Sequence, residues 1–137
     1  MKIILKNILA VVIGLFVGAT VNMGLINISG SIIPPPAGAD TTTMEGLKAA
    51  MELFEAKHFI FPFLAHALGT LVGALLAALI AGSHQLKFAM VIGVFFLIGG
   101  ITMVFQVPSP LWFNVLDLGV AYLPMAWIGW KITGKGR

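Results

Sequence analysis

The sequence predicts an all-α integral membrane protein: an up-down bundle of four transmembrane helices, with a short amphipathic helix in the outer loop between the first two. Three observations predict this fold. Of the 137 residues 59% are hydrophobic and only 9% are charged, and the mean hydropathy is +1.04, far from the balance of a soluble domain. The apolar residues form four long stretches, and the basic residues fall almost entirely on one side of them.

Each apolar stretch is long enough to cross a bilayer, whose hydrocarbon core of roughly 30 Å takes about 20 helical residues. We place the four spans at residues 8–28, 59–81, 88–106 and 113–131. The connections after the second and third spans are short, which favours antiparallel neighbouring helices. Because little chain lies outside the spans, residues 1–137 are expected to form a single membrane domain.

The basic residues predict that both termini lie in the cytoplasm, because cytoplasmic segments of membrane proteins are enriched in Lys and Arg. If the N-terminus lies inside, all charged residues on the cytoplasmic side are basic, namely Lys2, Lys6, Lys87, Lys131, Lys135 and Arg137. The other side then holds a mixture of Lys48, Lys57, Asp40, Glu45, Glu52 and Glu55. The net charge of +3 is therefore mainly an orientation signal, and nucleic acid is not an expected partner.

The short chain, its basic ends and its lack of cysteine favour a bacterial inner membrane. The first 19 residues also resemble a secretory signal peptide, since Lys2 and Lys6 precede an apolar run that reaches Ala19. That run continues to Ile28, which favours an uncleaved first helix.

The outer loop, residues 29–58, divides into an extended part and a helical part. Three prolines at 34–36 favour extended chain. Thr42 with Glu45 three residues later is typical of a capping box and predicts a helix over about 43–57. Its apolar face carries Met44, Leu47, Met51 and Phe54. Such a helix either covers the outer end of the bundle or acts as a mobile lid over a site.

Small and polar residues share one face on every span, and such faces favour close helix packing inside a bundle. The first span carries Gly14, Gly18 and Asn22, and the second a ladder of Ala65, Gly69, Gly73, Ala77 and Ala81 beside His66 and Thr70. The third and fourth carry Gly99, Thr102 and Gln106, and Asn114, Asp117 and Ala121. On each helix the polar members lie toward the outer end, which predicts an outward-facing polar pocket.

The candidate ligand-binding or proton-handling residues are His66, Asp117, Asn22, Asn114, Thr70 and Gln106. At about 1.5 Å of rise per residue, His66, Asp117 and Asn22 lie roughly 6 to 10 Å below the outer interface. A carboxylate inside a membrane needs a partner, and His66 is the natural partner of Asp117 by residue type and depth. The pair is interpreted as interhelical glue, as a ligand or proton-transfer site, or as part of a metal site.

A metal site has only weak support. Glu55 and His58 have the Glu-x-x-His spacing of carboxylate-bridged metal bundles, with Glu52 one turn earlier, but the spacing occurs once instead of twice. No metal or other cofactor is therefore expected. Without Cys or a Gly-x-Ser-x-Gly elbow, the chain also lacks a recognisable set of catalytic residues.

Two functions remain as expectations. The first is an interaction or accessory subunit that self-associates or joins a larger membrane complex through the Ala/Gly ladder. The second is the binding or transport of a lipid-like or small polar ligand in the outward-facing pocket around His66 and Asp117.

Overall fold

The computed structural model describes residues 2–136, in which all regular secondary structure is helical. The α-helices are α1 (Lys2–Ile32), α2 (Met44–Ala50), α3 (Ile60–Ile80), α4 (Gln85–Gln106), α5 (Leu111–Val120) and α6 (Leu123–Ile132). Four helical segments are long and apolar enough to cross a membrane, namely Lys2–Ile32, Ala56–Ile80, Gln85–Gln106 and Leu111–Ile132. The prediction of an all-helical chain with four such segments is confirmed.

The bundle has two unlike ends. One carries residues 33–59 and 107–110, and we call it the long-loop end. The other carries the connection at 81–84, the start of α1 and residues 133–136, and we call it the termini end. Helix α3 is central, because it packs against α1, α4 and α6, whereas α1 and α4 touch each other much less.

Helices α1 and α3 cross at two reciprocal glycine contacts. A Cβ atom built on Gly14 would lie 2.7 Å from the carbonyl oxygen of Gly73, and one built on Gly73 would lie 2.6 Å from that of Gly14. Gly18 and Gly69 stand in the same relation, at 2.7 and 2.8 Å. Only glycine permits so close an approach of two backbones, so this crossing depends on all four residues.

The Ala/Gly ladder on α3 is therefore used inside the chain. Its members Ala65, Gly69, Gly73, Ala77 and Ala81 are all buried. Helix α1 of the same chain covers this ladder, and contact of the ladder with a second protein stays a prediction.

The interior face of α4 differs from the predicted one. Its buried residues are Ala89, Ile92, Gly93 and Gly100, whereas Thr102 and Gln106 are exposed. The Thr102 hydroxyl donates to the carbonyl of Ile98 at 2.8 Å, so it needs no interior partner. Two glycines seven residues apart set the face instead, because a Cβ at Gly93 would strike Ala126 and one at Gly100 would strike Tyr122.

The fourth span is broken in the middle. Residues 113–131 were predicted as one helix, but α5 ends at Val120 and α6 begins at Leu123. Pro124 lies in the first turn of α6 and has no N–H to give to the carbonyl of Val120, so the helix cannot run through this point. The break turns Tyr122 into the bundle, where it is 2% exposed.

The loop helix is shorter than predicted. The proposed helix over 43–57 is replaced by α2 and two 3₁₀ turns, Met51–Leu53 and Ala56–Phe59. The cap is Thr43, whose hydroxyl accepts from the Gly46 N–H at 3.0 Å, because Thr42 is engaged with Asp40 instead. Leu47, Met51 and Phe54 pack with a cluster at the long-loop end made of Phe59, Phe63, Val107 and Phe113.

Polar contacts tie the termini end together. The Asn7 side chain accepts from the Gly82 N–H at 2.9 Å and donates to the Ser83 hydroxyl at 3.1 Å. Lys135 Nζ donates to the carbonyls of Ala78 and Leu79 at 3.2 and 2.8 Å, which satisfies carbonyls at the C-terminal end of α3. Asn7 is therefore bonded to the connection that follows α3, and Lys135 to the last turn of α3 itself.

Candidate functional site

Asp117 is the centre of a buried polar cluster. Its side chain is 6% exposed, and its carboxylate oxygens lie 2.8 and 3.0 Å from Nδ1 of His66. The hydroxyl of Tyr122 donates to the same carboxylate at 3.0 Å. The cluster joins α3, α5 and the break before α6, so it brings together residues far apart in the sequence.

Local features of the chain place each member of the cluster. Thr70 bonds its hydroxyl to the carbonyl of His66 at 2.7 Å and so lies one turn below it on α3. The His66 and Tyr122 rings stack with centroids 5.7 Å apart. Tyr122 fits only because residue 100 has no side chain, since a Cβ there would overlap the phenol.

The Asp117 carboxylate contacts only neutral or weakly basic groups. Within residues 2–136 its only ion-pair partner is His66. The other ion pair in this range joins Lys57 and Glu55, with a nitrogen–oxygen distance of 3.7 Å. A carboxylate kept from water is costly unless it is paired and hydrogen-bonded. The three short contacts supply that pairing, and they fix the His66 ring in one orientation.

A cavity of about 200 Å³ lies beside this cluster, between α1 and α4 in the half of the bundle nearer the long-loop end. Its wall is formed by Asn22, His66, Gly69, Thr70, Phe96, Gly99, Gly100, Met103 and Tyr122. The Phe96 ring lies against Gly18 and closes the cavity toward the termini end. Gly99 and Met103 are exposed, so the cavity opens toward the flank of the bundle at these residues.

Two polar groups on the cavity wall have no partner in the described part of the chain. The Oδ1 atom of Asn22 is buried and accepts no hydrogen bond. Since Nδ1 of His66 faces Asp117, the ring nitrogen left for a ligand is Nε2. Buried polar atoms are nearly always bonded in folded proteins, so the unpaired oxygen makes Asn22 an exception among the residues of this wall.

The predicted site residues divide into three groups. His66, Asn22 and Thr70 line the cavity, and Asp117 lies behind it, in contact with His66 and Tyr122. Asn114 is elsewhere: it accepts from the Ser109 hydroxyl at 2.8 Å and donates to the Ser109 carbonyl, so it closes the turn before α5. Gln106 is exposed near the end of α4 and does not line the cavity.

The Glu-x-x-His spacing of Glu55 and His58, considered above for a metal site, caps a short helical turn instead. His58 Nδ1 accepts from the backbone N–H of Glu55 at 2.8 Å, and the Glu55 side chain accepts from the backbone of His58. This reciprocal pair is a capping box for the 3₁₀ turn at Ala56–Phe59. Glu52 is exposed, and residues 2–136 contain no group of three side chains that could hold a metal ion.

Sequence reasoning placed Gly99 on the inner face of its helix but missed four other residues of the cavity wall: Tyr122, Phe96, Gly100 and Met103. The adjacent glycines on α4 and Pro124 just after Tyr122 were the available signals, since the first marks a close approach and the second a helix break. The loop helix was considered as a lid, but no residue of 33–59 lines the cavity.

The arrangement is suited to binding and to proton exchange. Asp117 orients the imidazole, which leaves Nε2 able to accept a hydrogen bond or a proton from a group in the cavity. The wall also carries the hydroxyls of Thr70 and Tyr122, which donate to the His66 carbonyl and to the Asp117 carboxylate.

No known protein family, characterised protein or solved structure matches this chain.

Proposed function

We propose that this protein binds a small polar ligand, or the polar headgroup of a lipid, in the cavity between α1 and α4. The observation that carries the proposal is a cavity of about 200 Å³ whose wall includes the polar residues Asn22, His66 and Thr70, with Asp117 behind His66. Interhelical glue satisfies its own polar groups, whereas the amide oxygen of Asn22, a residue of this wall, has no hydrogen-bond partner in the described part of the chain.

The position of the cavity supports access from the lipid side. It opens between two helices at Gly99 and Met103, and large apolar side chains such as Phe16 and Phe105 cover the outside of the bundle at 73% and 87% exposure. A surface of this kind suits contact with acyl chains. A ligand that carries both a polar group and an apolar tail is therefore favoured.

The bundle is proposed to lie in a bacterial inner membrane with both termini in the cytoplasm, as the basic residues indicate. The cavity then lies in the outer half of the bilayer. Because the chain has no cysteine, single substitutions such as Lys2→Cys and Glu45→Cys give a clean topology test. A membrane-impermeant maleimide on intact cells should label only the second variant.

Native mass spectrometry of the gently extracted protein tests the binding proposal. We expect wild-type protein to retain a small molecule or lipid and His66→Ala to lose it. His84→Asn is the matched control, because His84 lies in the connection before α4 and Asn tolerates its left-handed φ of 48°. Equal retention by wild type and His66→Ala would contradict the proposal.

Association with a second copy or a larger membrane complex is the second candidate function. The observation that favours it is the end of α1 beyond Asn22, where Gly24 and Gly30 meet no neighbour and Met23 is 53% exposed. Met23→Cys should then form a disulfide-linked dimer under mild oxidation, and Phe105→Cys on α4 should not. Identical crosslinking of both variants would point to random collision instead.

A further inference from the structure

We infer that the ligand of the cavity is a long-chain lipid whose acyl chain lies in a second, apolar groove between the same two helices. This inference rests on the proposed ligand-binding function and assigns a binding site to the apolar tail of the ligand. It is drawn from the position, the chemistry and the alignment of two hollows between α1 and α4.

The apolar groove lies between α1 and α4 at the termini end and has a volume of about 480 Å³. Its wall is formed by Ile4, Asn7, Ile8, Val11, Val12 and Phe88. Asn7 is the one polar residue of this wall, and its side chain is already bonded to Gly82 and Ser83. The groove therefore offers a ligand little besides apolar surface.

The groove and the cavity lie along one seam, where a single face of α1 meets a single face of α4. On α1, residues at spacings of three and four lead from the groove to the cavity: Ile4, Ile8, Val11, Leu15, Gly18 and Asn22. On α4 the corresponding series is Phe88, Ile92, Phe96, Gly99 and Met103. Between the two hollows, Ile92 and Phe96 lie against Gly14 and Gly18.

The order of the two hollows matches the direction of a lipid in a bilayer. A lipid whose headgroup lies in the cavity belongs to the leaflet at the long-loop end, because the cavity is in that half of the bundle. Its acyl chains then run toward the termini end, where the groove lies. At about 1.5 Å per residue, Asn22 lies roughly 15 Å from Val12 along α1, which equals about half of a hydrocarbon core of roughly 30 Å. An acyl chain of ordinary membrane length therefore reaches the groove from the cavity.

The groove is open to an acyl chain. Ile4, Ile8 and Val12 are exposed, so no other part of residues 2–136 covers them. Because the surrounding lipid is as apolar as the groove, a chain gains close packing there and no removal from water. The groove is therefore expected to add moderately to the retention of a ligand that the cavity already holds.

The test is photo-crosslinking in cells fed a palmitic acid analogue that carries a diazirine in its chain. After irradiation, labelled positions are mapped by mass spectrometry of the purified protein. Ile4 and Ile8 report on the groove, and Ile128 and Ile132 of α6 are the controls, because both are exposed and lie outside the groove. We expect labelling of Ile4 and Ile8 to exceed that of the controls at least roughly threefold, as a moderate packing gain implies.

A substitution in the cavity shows whether one lipid occupies both hollows. Gly99→Leu fills the cavity, so it should reduce the labelling of Ile4 and Ile8 to the level of the controls. Gly119→Leu on α5 is the matched variant, because neither glycine meets a neighbour within 4 Å and only Gly99 lines the cavity.

A substitution in the groove makes the reciprocal test. Ile8→Trp places a larger side chain in the groove, so native mass spectrometry should find at least roughly threefold less retained ligand. Phe16→Trp on the same helix is the control, because Phe16 is exposed and lines neither hollow. Equal retention by the two tryptophan variants would contradict the inference.

The outcomes separate this inference from the proposed function. If the excess labelling of Ile4 and Ile8 persists in Gly99→Leu, the groove binds a separate lipid, and the inference is wrong while the proposed function is unaffected. If Ile4 and Ile8 label no more than the controls, as a second copy of the chain over the groove would cause, the inference also fails. If wild type and Gly99→Leu in addition retain the same ligand in equal amounts, both fail. Excess labelling that is lost in Gly99→Leu, together with weaker retention by Ile8→Trp, supports both.

Discussion

The Nδ1 atom of His66 lies 2.8 Å from the carboxylate of Asp117, although 51 residues separate the two in the chain. This contact links the central helix α3 to the broken fourth span and fixes the imidazole beside the cavity. Tyr122 adds a third hydrogen bond to the same carboxylate. Stability and the proposed binding therefore involve the same few residues, and the variants that follow are chosen to separate them.

The first prediction concerns the hydroxyl of Tyr122. Tyr122→Phe removes one hydrogen bond to a buried carboxylate and keeps the ring, so it should lower the free energy of unfolding by about 1.5 to 3 kcal/mol. Thr102→Val is the control, because the Thr102 hydroxyl bonds only to the carbonyl of Ile98 in its own helix. Unfolding by SDS in mixed micelles measures both. Equal and small effects of the two variants would show that the Tyr122 contact adds no stability.

The second prediction uses the adjacent glycines of α4. Gly100→Ala places a methyl group against the phenol of Tyr122, so it should destabilise the protein by about 1 to 3 kcal/mol. Gly99→Ala should leave stability within about 0.5 kcal/mol of wild type, because no neighbour lies near that position. Thermal unfolding in the same detergent compares them. An equal loss in both would indicate a general effect of glycine replacement in α4.

The third prediction tests the crossing of α1 and α3. Gly18→Ala puts a Cβ atom 2.7 Å from the carbonyl of Gly69, so the helices must separate and the unfolding temperature should fall by several degrees. Gly24→Ala on the same helix meets no neighbour and should keep or raise it, since Ala favours helix over Gly. A similar loss in both variants would contradict the glycine contact as the cause.

The fourth prediction concerns the termini end. Lys135→Met removes two hydrogen bonds to carbonyls at the end of α3 and should cost about 1 kcal/mol of unfolding free energy. Lys87→Met is the control, because it removes one lysine charge from the same end and its ammonium makes no hydrogen bond or ion pair within residues 2–136. If the two substitutions have the same effect, net charge and not the contact of Lys135 accounts for it.

Much of the architecture is predictable from the sequence because hydropathy and helical length act on whole segments. Four apolar stretches of the right length predict four helices, and small residues at i, i+4 spacing identify the face of α3 that packs on α1. The pairing of His66 with Asp117 also follows, since each is costly alone and their expected depths agree.

Other features depend on contacts that a single helix does not encode. Thr102 and Gln106 were placed inside because they are polar, but Thr102 satisfies its hydroxyl on its own helix, and the inner face of α4 follows Gly93 and Gly100. Asn114 shares a face with Asp117 by spacing, yet it is engaged by Ser109 in the preceding turn. The inward position of Tyr122 could be predicted only if the helix break before Pro124 was recognised from the sequence.

The most direct test of the proposed function is the amount of ligand that co-purifies with a cavity-filling variant. Gly99 and Gly119 both meet no neighbour within 4 Å, but only Gly99 lines the cavity. Native mass spectrometry should find a molecule bound to wild type and to Gly119→Leu, and none bound to Gly99→Leu, with all three proteins folded. Equal ligand retention by the two leucine variants, or wild-type protein that carries nothing, would contradict a binding function for this cavity.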